Sequence, residues 1–244
     1  MSTLIAAIRS IVTYVAVTVY VVLAGPPFLL VALATGRPHT LYWVGLGGVR
    51  LGIWLSGITV EIRHPERILK ERAAVYAVNH NSNVEPPILF AALSGLFPRM
   101  RILYKAELRK LPIMVRAFDI AGFVPLERGN RDQSLPAIER AAAGLRDGYS
   151  FLIFPEGTRS RTGELLPFKK GGFIMALKGQ APIVPVAING TRDAMKKGSL
   201  IIRPVRVIVS FGPPIETAGL TMEDRDRLIA RSRAAVAAQL AEEN

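Results

Sequence analysis

Between residues 10 and 36 the chain carries no charged side chain, and a second apolar stretch, 41–58, follows with Arg50 as its one charge. Gly25-Pro26-Pro27 interrupts the first run. Tandem proline removes two backbone donors and ordinarily kinks or ends a helix. The piece before it, 11–24, is shorter than the ~20 residues a spanning helix requires. Tyr42, Trp43 and Trp54 in the second stretch suit a membrane–water interface. Three arrangements fit: a helical hairpin embedded in one leaflet, a kinked spanning helix, or a cleaved leader with Ala32-Leu33-Ala34 as its small-residue site. A further apolar segment follows at once, which speaks against the leader. In each arrangement the segment meets a membrane.

Beyond residue 58 the texture changes. Short runs rich in β-branched and aromatic residues alternate with helical stretches. The runs predict strands at 59–63, 73–78, 101–104, 122–126, 151–154, 183–188 and 205–211. Several are apolar throughout, the mark of strands covered on both faces. Helices are predicted at 87–96, 108–120, 134–146, 171–178 and 222–241, the last opened by Thr221 with Asp224 three residues on, as in a capping box. This alternation predicts an α/β domain whose sheet is largely parallel but mixed, flanked by helices. The expected division is a hydrophobic anchoring segment at 1–58 and the α/β domain at 59–244.

Charge narrows the choice of partner. Half of the 244 residues are hydrophobic and the formal net charge is +12. Nucleic acid, an anionic membrane face or a phosphorylated substrate would each match that balance. The first sixty residues, however, hold only Arg9, Arg37 and Arg50 and no acid. So apolar a segment is foreign to nucleic-acid-binding proteins and common in membrane enzymes, so no nucleic-acid partner is expected. The chain has no cysteine, which removes disulfides, thiol catalysis and thiolate metal sites. Its three histidines lack the H-E-x-x-H spacing, and no metal site is expected.

Two short motifs carry the candidate chemistry. His80 follows the apolar strand at 73–78, at the strand end where α/β proteins place their sites. Glu85 lies five residues on, before Pro86-Pro87, which bias it toward an extended backbone and then start a helix. A loop this short can fold the carboxylate back onto the imidazole, fixing tautomer and orientation, and leave the other nitrogen free to take a hydroxyl proton. The second motif is Phe154-Pro155-Glu156-Gly157-Thr158-Arg159-Ser160. It leaves an apolar strand into a turn where glycine allows close backbone approach and arginine offers a forked donor for phosphate oxygens. Phe168-Lys169-Lys170-Gly171-Gly172 adds two cations before the next helix.

Asn79-His80 with an acid five places on, followed by Phe-Pro-Glu-Gly-Thr-Arg-Ser, resembles the 1-acylglycerol-3-phosphate acyltransferase family of glycerolipid acyltransferases. Gly122-Phe123-Val124-Pro125-Leu126-Glu127-Arg128 is similar to the second motif of that family, and Ala181-Pro182-Ile183-Val184-Pro185-Val186-Ala187-Ile188 to its fourth. The four blocks occur in family order across roughly residues 70–215. The resemblance implies acyl transfer from a thioester, acyl-CoA or acyl carrier protein, to the hydroxyl of lysophosphatidic acid, with no cofactor besides that donor. It casts His80 as general base with Glu85 as its partner. Lys105, Arg128, Glu156, Gly157, Thr158 and Arg159 would hold the glycerol phosphate, and Pro182, Val184 and Pro185 would line the acyl side. Rival readings are another lysophospholipid or lyso-aminolipid acceptor, or an inactive lipid-binding relative. The family usually has aspartate where this chain has Glu85, whose extra methylene moves the carboxylate by ~1.5 Å at full extension. The resemblance also favours the one-leaflet hairpin, with the catalytic domain on the cytoplasmic face where acyl donors are found. Arg99, Arg101, Arg109, Lys110 and Arg116 cluster around the Lys105 block and are expected to lean on anionic lipid headgroups.

Overall fold

The computed structural model describes residues 3–37, 39–110, 112–126 and 131–242, with only the backbone at 112–114 and 131–133. Two helices come first, α1 (Thr3–Thr35) and α2 (His39–Ser56). There follow β1 (Thr59–Arg63), β2 (Val75–Val78), α3 (Glu85–Ala92), β3 (Met100–Lys105), α4 (Pro112–Ile120), β4 (Val124–Leu126), α5 (Arg131–Arg146) and β5 (Ser150–Ile153). The chain closes with α6 (Gly171–Gly179), β6 (Ile183–Asn189), α7 (Thr191–Ala194), β7 (Arg206–Phe211) and α8 (Arg225–Glu242). The seven strands form one sheet in the order β1-β7-β6-β2-β5-β3-β4. All neighbours pair parallel except β6 with β7.

Both faces of the sheet are covered, which is why its central strands read as unbroken apolar runs. Val75 and Ala77 of β2 face a core closed by α5, α6 and α8, where Ala141, Phe173 and Val236 are buried. Tyr76 and Val78 point the other way, into a core shared with Ile88 and Leu89 of α3. The capping box before α8 is present: Thr221 Oγ1 accepts the Glu223 N–H, and Asp224 accepts the Thr221 N–H at 2.9 Å. Such a cap is worth about 1 kcal/mol.

Helix α1 runs through Pro26 and Pro27 without ending. The apolar residues on both sides of the pair carry the helix through it. At 33 residues α1 is about 50 Å long. By length and composition it is the one helix among the described residues apolar enough to cross a membrane. Its exposed side chains include Leu4, Ile11, Val15, Val22, Leu23 and Leu33.

Helix α2 packs against α1 through its glycines. The Tyr20 side chain lies over Gly47, where a Cβ would fall 2.4 Å from its hydroxyl, and close to Gly48, and that hydroxyl donates to the Val44 carbonyl at 3.0 Å. The pair is also fastened to the α/β unit. The Tyr42 hydroxyl donates to the Met100 carbonyl at 2.6 Å, and its ring packs among Phe90, Phe97 and Phe123. At the other end of α2, Ile53 joins the α3-side core. From α1, Ser10 Oγ accepts the Ile202 N–H at 2.8 Å, and the Tyr14 hydroxyl donates to the Leu200 carbonyl at 2.9 Å.

Candidate active site

Three central strands deliver the site to one edge of the sheet. Because β2 pairs parallel with both β5 and β6, the segments leaving their C-terminal ends lie side by side. The Asn79 side chain laces two of them, donating to the Ile188 carbonyl at 3.0 Å and accepting the Ile188 N–H at 2.7 Å. His80, the next residue, is held by its backbone on both sides. Its N–H donates to Glu156 Oε1 at 2.6 Å, and its carbonyl accepts the Ser160 N–H at 2.7 Å. The two motifs, 76 residues apart, therefore form one unit.

The imidazole is held equally firmly. Nδ1 lies 2.6 Å from Glu85 Oε2, and the ring stacks on Phe154 with centroids 4.1 Å apart. Its side chain keeps 12% of its surface open while that of Glu85 is wholly buried. Nε2 has no hydrogen-bonding partner among the described residues. With the carboxylate accepting, Nδ1 carries the proton and Nε2 is the basic nitrogen. Glu85 also meets three donors through Oε1: the Asn81 N–H at 2.8 Å, the Ser82 N–H at 3.0 Å and the Thr191 hydroxyl at 2.6 Å. These donors, with the imidazole, replace the water that burial takes from the carboxyl group.

This geometry depends on a departure from the expected backbone. Glu85 is not extended but is the first residue of α3, with Pro86 and Pro87 in the first turn. Proline is at home there because its missing N–H has no intrahelical partner to lose. The two amides that the carboxylate accepts, Asn81 and Ser82, come from the loop before the helix.

Glu156 is buried and acts beneath the turn. Oε1 takes the His80 N–H and Oε2 the Leu166 N–H at 3.0 Å. Burial pushes its carboxyl above the usual range, the two amides pull it back, and the Glu85 charge adds to the rise. Both oxygens being engaged, it braces the loop rather than facing an incoming phosphate. Gly157 has φ +68°, and an added Cβ would fall 2.9 Å from Lys169 Cδ. Lys197 Nζ donates to the Arg159 carbonyl at 2.8 Å and lies 3.4 Å from Thr158 Oγ1. Next to this turn opens a groove of about 310 Å³ lined by Ser160, Arg161, Arg192, Lys196 and Lys197.

The remaining expected residues divide. Lys105 ends β3 on the same sheet edge and pairs with Glu107 at 2.9 Å. An exposed pair of this kind is worth about 0–1 kcal/mol, weak enough for a phosphate to displace. Arg128 lies outside the described residues, two positions past the end of β4. Pro182, Val184 and Pro185 are interior: all are buried, Val184 sits in the α3-side core, and Pro185 pairs with Ala77, three positions short of His80. They do not reach the edge where His80 stands. Thr191 and Lys197 stand outside the sequence motifs, and Phe154 enters them only as the first residue of its block. The aromatic before Pro155 and the Asn189-Gly190-Thr191 turn after an apolar strand were the available signals.

Residues 59–189 match the Acyltransferase family, and the chain belongs to that family. Its similarity runs to one branch in particular. It is 34% identical to a 1-acyl-sn-glycerol-3-phosphate acyltransferase of Limnanthes douglasii over 192 residues, 78% of this chain and 66% of that protein. With 1-acyl-sn-glycerol-3-phosphate acyltransferase alpha of Mus musculus it shares 31% identity over 173 residues, 70% of this chain and 60% of that one. The chain thus spans about two thirds or less of these relatives. The crystal structure of the 1-acyl-sn-glycerophosphate acyltransferase PlsC from Thermotoga maritima has the same fold, with a TM-score of 0.82 over 99% of this chain and 98% of that one at 24% identity.

Proposed function

We propose that the protein transfers a fatty acyl group from acyl-CoA or acyl carrier protein to the free hydroxyl of lysophosphatidic acid, giving phosphatidic acid. The observation that carries this reading is His80, fixed through Nδ1 by buried Glu85 and left with Nε2 unengaged. Nε2 takes the acceptor's hydroxyl proton as its oxygen attacks the thioester carbonyl. The tetrahedral intermediate collapses with cleavage of the carbon–sulfur bond, and the imidazolium returns the proton to the departing thiolate. No acyl-enzyme is required. Arg159 and the Gly157-Thr158 turn, with Lys105 and Arg128, hold the acceptor phosphate. The adjoining basic groove strengthens the local positive field. The intact Glu85 geometry favours an active enzyme over an inactive relative.

The test is an acyl-transfer assay with labelled acyl-CoA and acyl carrier protein against a panel of acceptors. Lysophosphatidic acid should exceed lysophosphatidylcholine, lysophosphatidylethanolamine and a lyso-aminolipid by at least about tenfold in kcat/KM, or ~1.4 kcal/mol in the transition state. A larger-headgroup acceptor turning over faster would reassign the substrate. The ratio of rates with the two donors identifies the donor.

The segment 1–58 is proposed as the anchor and 59–244 as the catalytic unit, on the cytoplasmic face where acyl donors reside. Both ends of α2 are docked on the α/β unit, so the helical pair lies along it rather than projecting away. That supports a hairpin in one leaflet, with the exposed apolar side of α1 in the acyl region. The basic cluster that includes Arg99 and Lys110 would add about 1 kcal/mol per cation near anionic headgroups. Vesicle sedimentation should therefore show binding to neutral lipid that persists in high salt and rises with anionic lipid at low salt. Binding indifferent to both salt and lipid charge would refute the headgroup contact.

A further inference from the structure

We propose that Thr191 is a positioning residue for the transfer: its hydroxyl locks the Glu85 carboxylate in the orientation that holds the His80 ring. This rests on the acyl-transfer reading above. Of the three donors on Glu85 Oε1, the Asn81 and Ser82 amides belong to the loop that carries Glu85 itself, and would move with it. Thr191 is the donor from elsewhere, 106 residues along the chain and at 2.6 Å. It therefore ties the carboxylate to the sheet rather than to its own loop.

The fold goes to some length to put a hydroxyl there. Thr191 is fully buried and opens α7, one residue beyond Gly190. Gly190 has φ +83°, and a Cβ at that position would lie 2.3 Å from the Arg206 carbonyl oxygen, so only glycine makes the turn. Upstream, Ile188 is bonded to Asn79 through both backbone groups, which sets the register of this turn against the His80 loop. The hydroxyl's place is therefore set by contacts independent of the carboxylate.

The arrangement also explains how glutamate serves here. Its extra methylene lets Oε1 reach across to the β6 side while Oε2 remains 2.6 Å from His80 Nδ1. A longer side chain has one more torsion to hold, and an outside hydroxyl supplies that restraint. Shortening it to aspartate withdraws the carboxylate by ~1.5 Å, so it can no longer serve both partners. Thr191 and the length of residue 85 should then act together rather than additively.

The experiment uses the full-length protein and the variants T191V, T191S, E85D and E85D/T191V. Valine keeps the shape and removes the donor. T191V should lower kcat by about ten- to a hundredfold, the scale of an ångström-sized misplacement, with KM for both substrates within about twofold. T191S, which retains the hydroxyl, should restore kcat to within about threefold of wild type. In the aspartate background the valine change should cost less than in the glutamate background. A second arm does not depend on turnover. In ¹⁵N-histidine-labelled protein the His80 Nδ1–H proton resonance should shift or broaden in T191V and return in T191S. T191V with wild-type kcat and an unmoved resonance would overturn the proposal, as would T191S as slow as T191V. Should the wild type show no acyl transfer, the resonance arm alone decides the positioning role, and the activity assignment fails separately.

Discussion

Replacing Glu85 with glutamine should lower kcat by about 10⁴-fold, the size of the loss when the carboxylate that orients a catalytic histidine becomes an amide. Each of its four interactions demands an acceptor. Oε1 faces two amides and a hydroxyl, and Oε2 faces Nδ1. A glutamine must present its NH₂ to one side or the other. If the amide oxygen stays with the three donors, the NH₂ confronts Nδ1 and pushes the proton to Nε2, which abolishes the base. If it flips, two or three donors face an NH₂ in a site without water-exposed surface at residue 85, and the loop must distort. Glu85→Asp should be far milder, because it keeps an acceptor. Initial rates at saturating acceptor, with circular dichroism to confirm folding, decide the matter. A Glu85→Gln variant within tenfold of wild type would remove the carboxylate from the mechanism.

His80→Ala should be at least as damaging, about 10⁴-fold or more in kcat, because it removes the one imidazole held at the sheet edge among the described residues. Glu156 is no substitute: both oxygens already accept backbone amides, and it is buried under the turn. KM should change little, since the phosphate contacts assigned to Arg159 and its neighbours involve backbone and cations away from the imidazole. The loss of the ring also frees the face of Phe154 on which it stacks. That is a packing cost on a partly exposed surface and should leave the fold intact.

The sheet was legible because its physics is local. The central strands β2, β5 and β6 are buried on both faces and read as largely apolar runs, and each of the seven predicted runs coincides with an observed strand to within about two residues. The parallel order followed from the alternation with helices. The first helix was less legible: the proline pair left open whether it ends or continues, and α1 continues through Pro26 and Pro27. The backbone of Glu85 was misjudged, the bias of a residue before proline yielding to the first turn of α3.

For the site, the two motifs were legible as chemistry but their contact was not. That His80 hangs by its own N–H from Glu156, or that Thr191 closes on Glu85 from 106 residues away, depends on which strands lie side by side. No spacing along the chain encodes that. Pro182, Val184 and Pro185 pack inside the sheet, a placement that depends on which strands neighbour β6 rather than on the motif itself. The glutamate at position 85, the apparent irregularity, turned out to have all of its acceptor capacity in use.

The most direct test of His80 as the base that passes an acyl group to a lysophospholipid is a single comparison. Wild type and His80→Ala, both folded and membrane-bound, are given labelled acyl-CoA or acyl carrier protein with lysophosphatidic acid, and labelled phosphatidic acid is measured over time. Rapid product formation by the wild type and a loss of at least about 10⁴-fold in the variant are the predicted results. Near-normal phosphatidic acid formation by His80→Ala would contradict them.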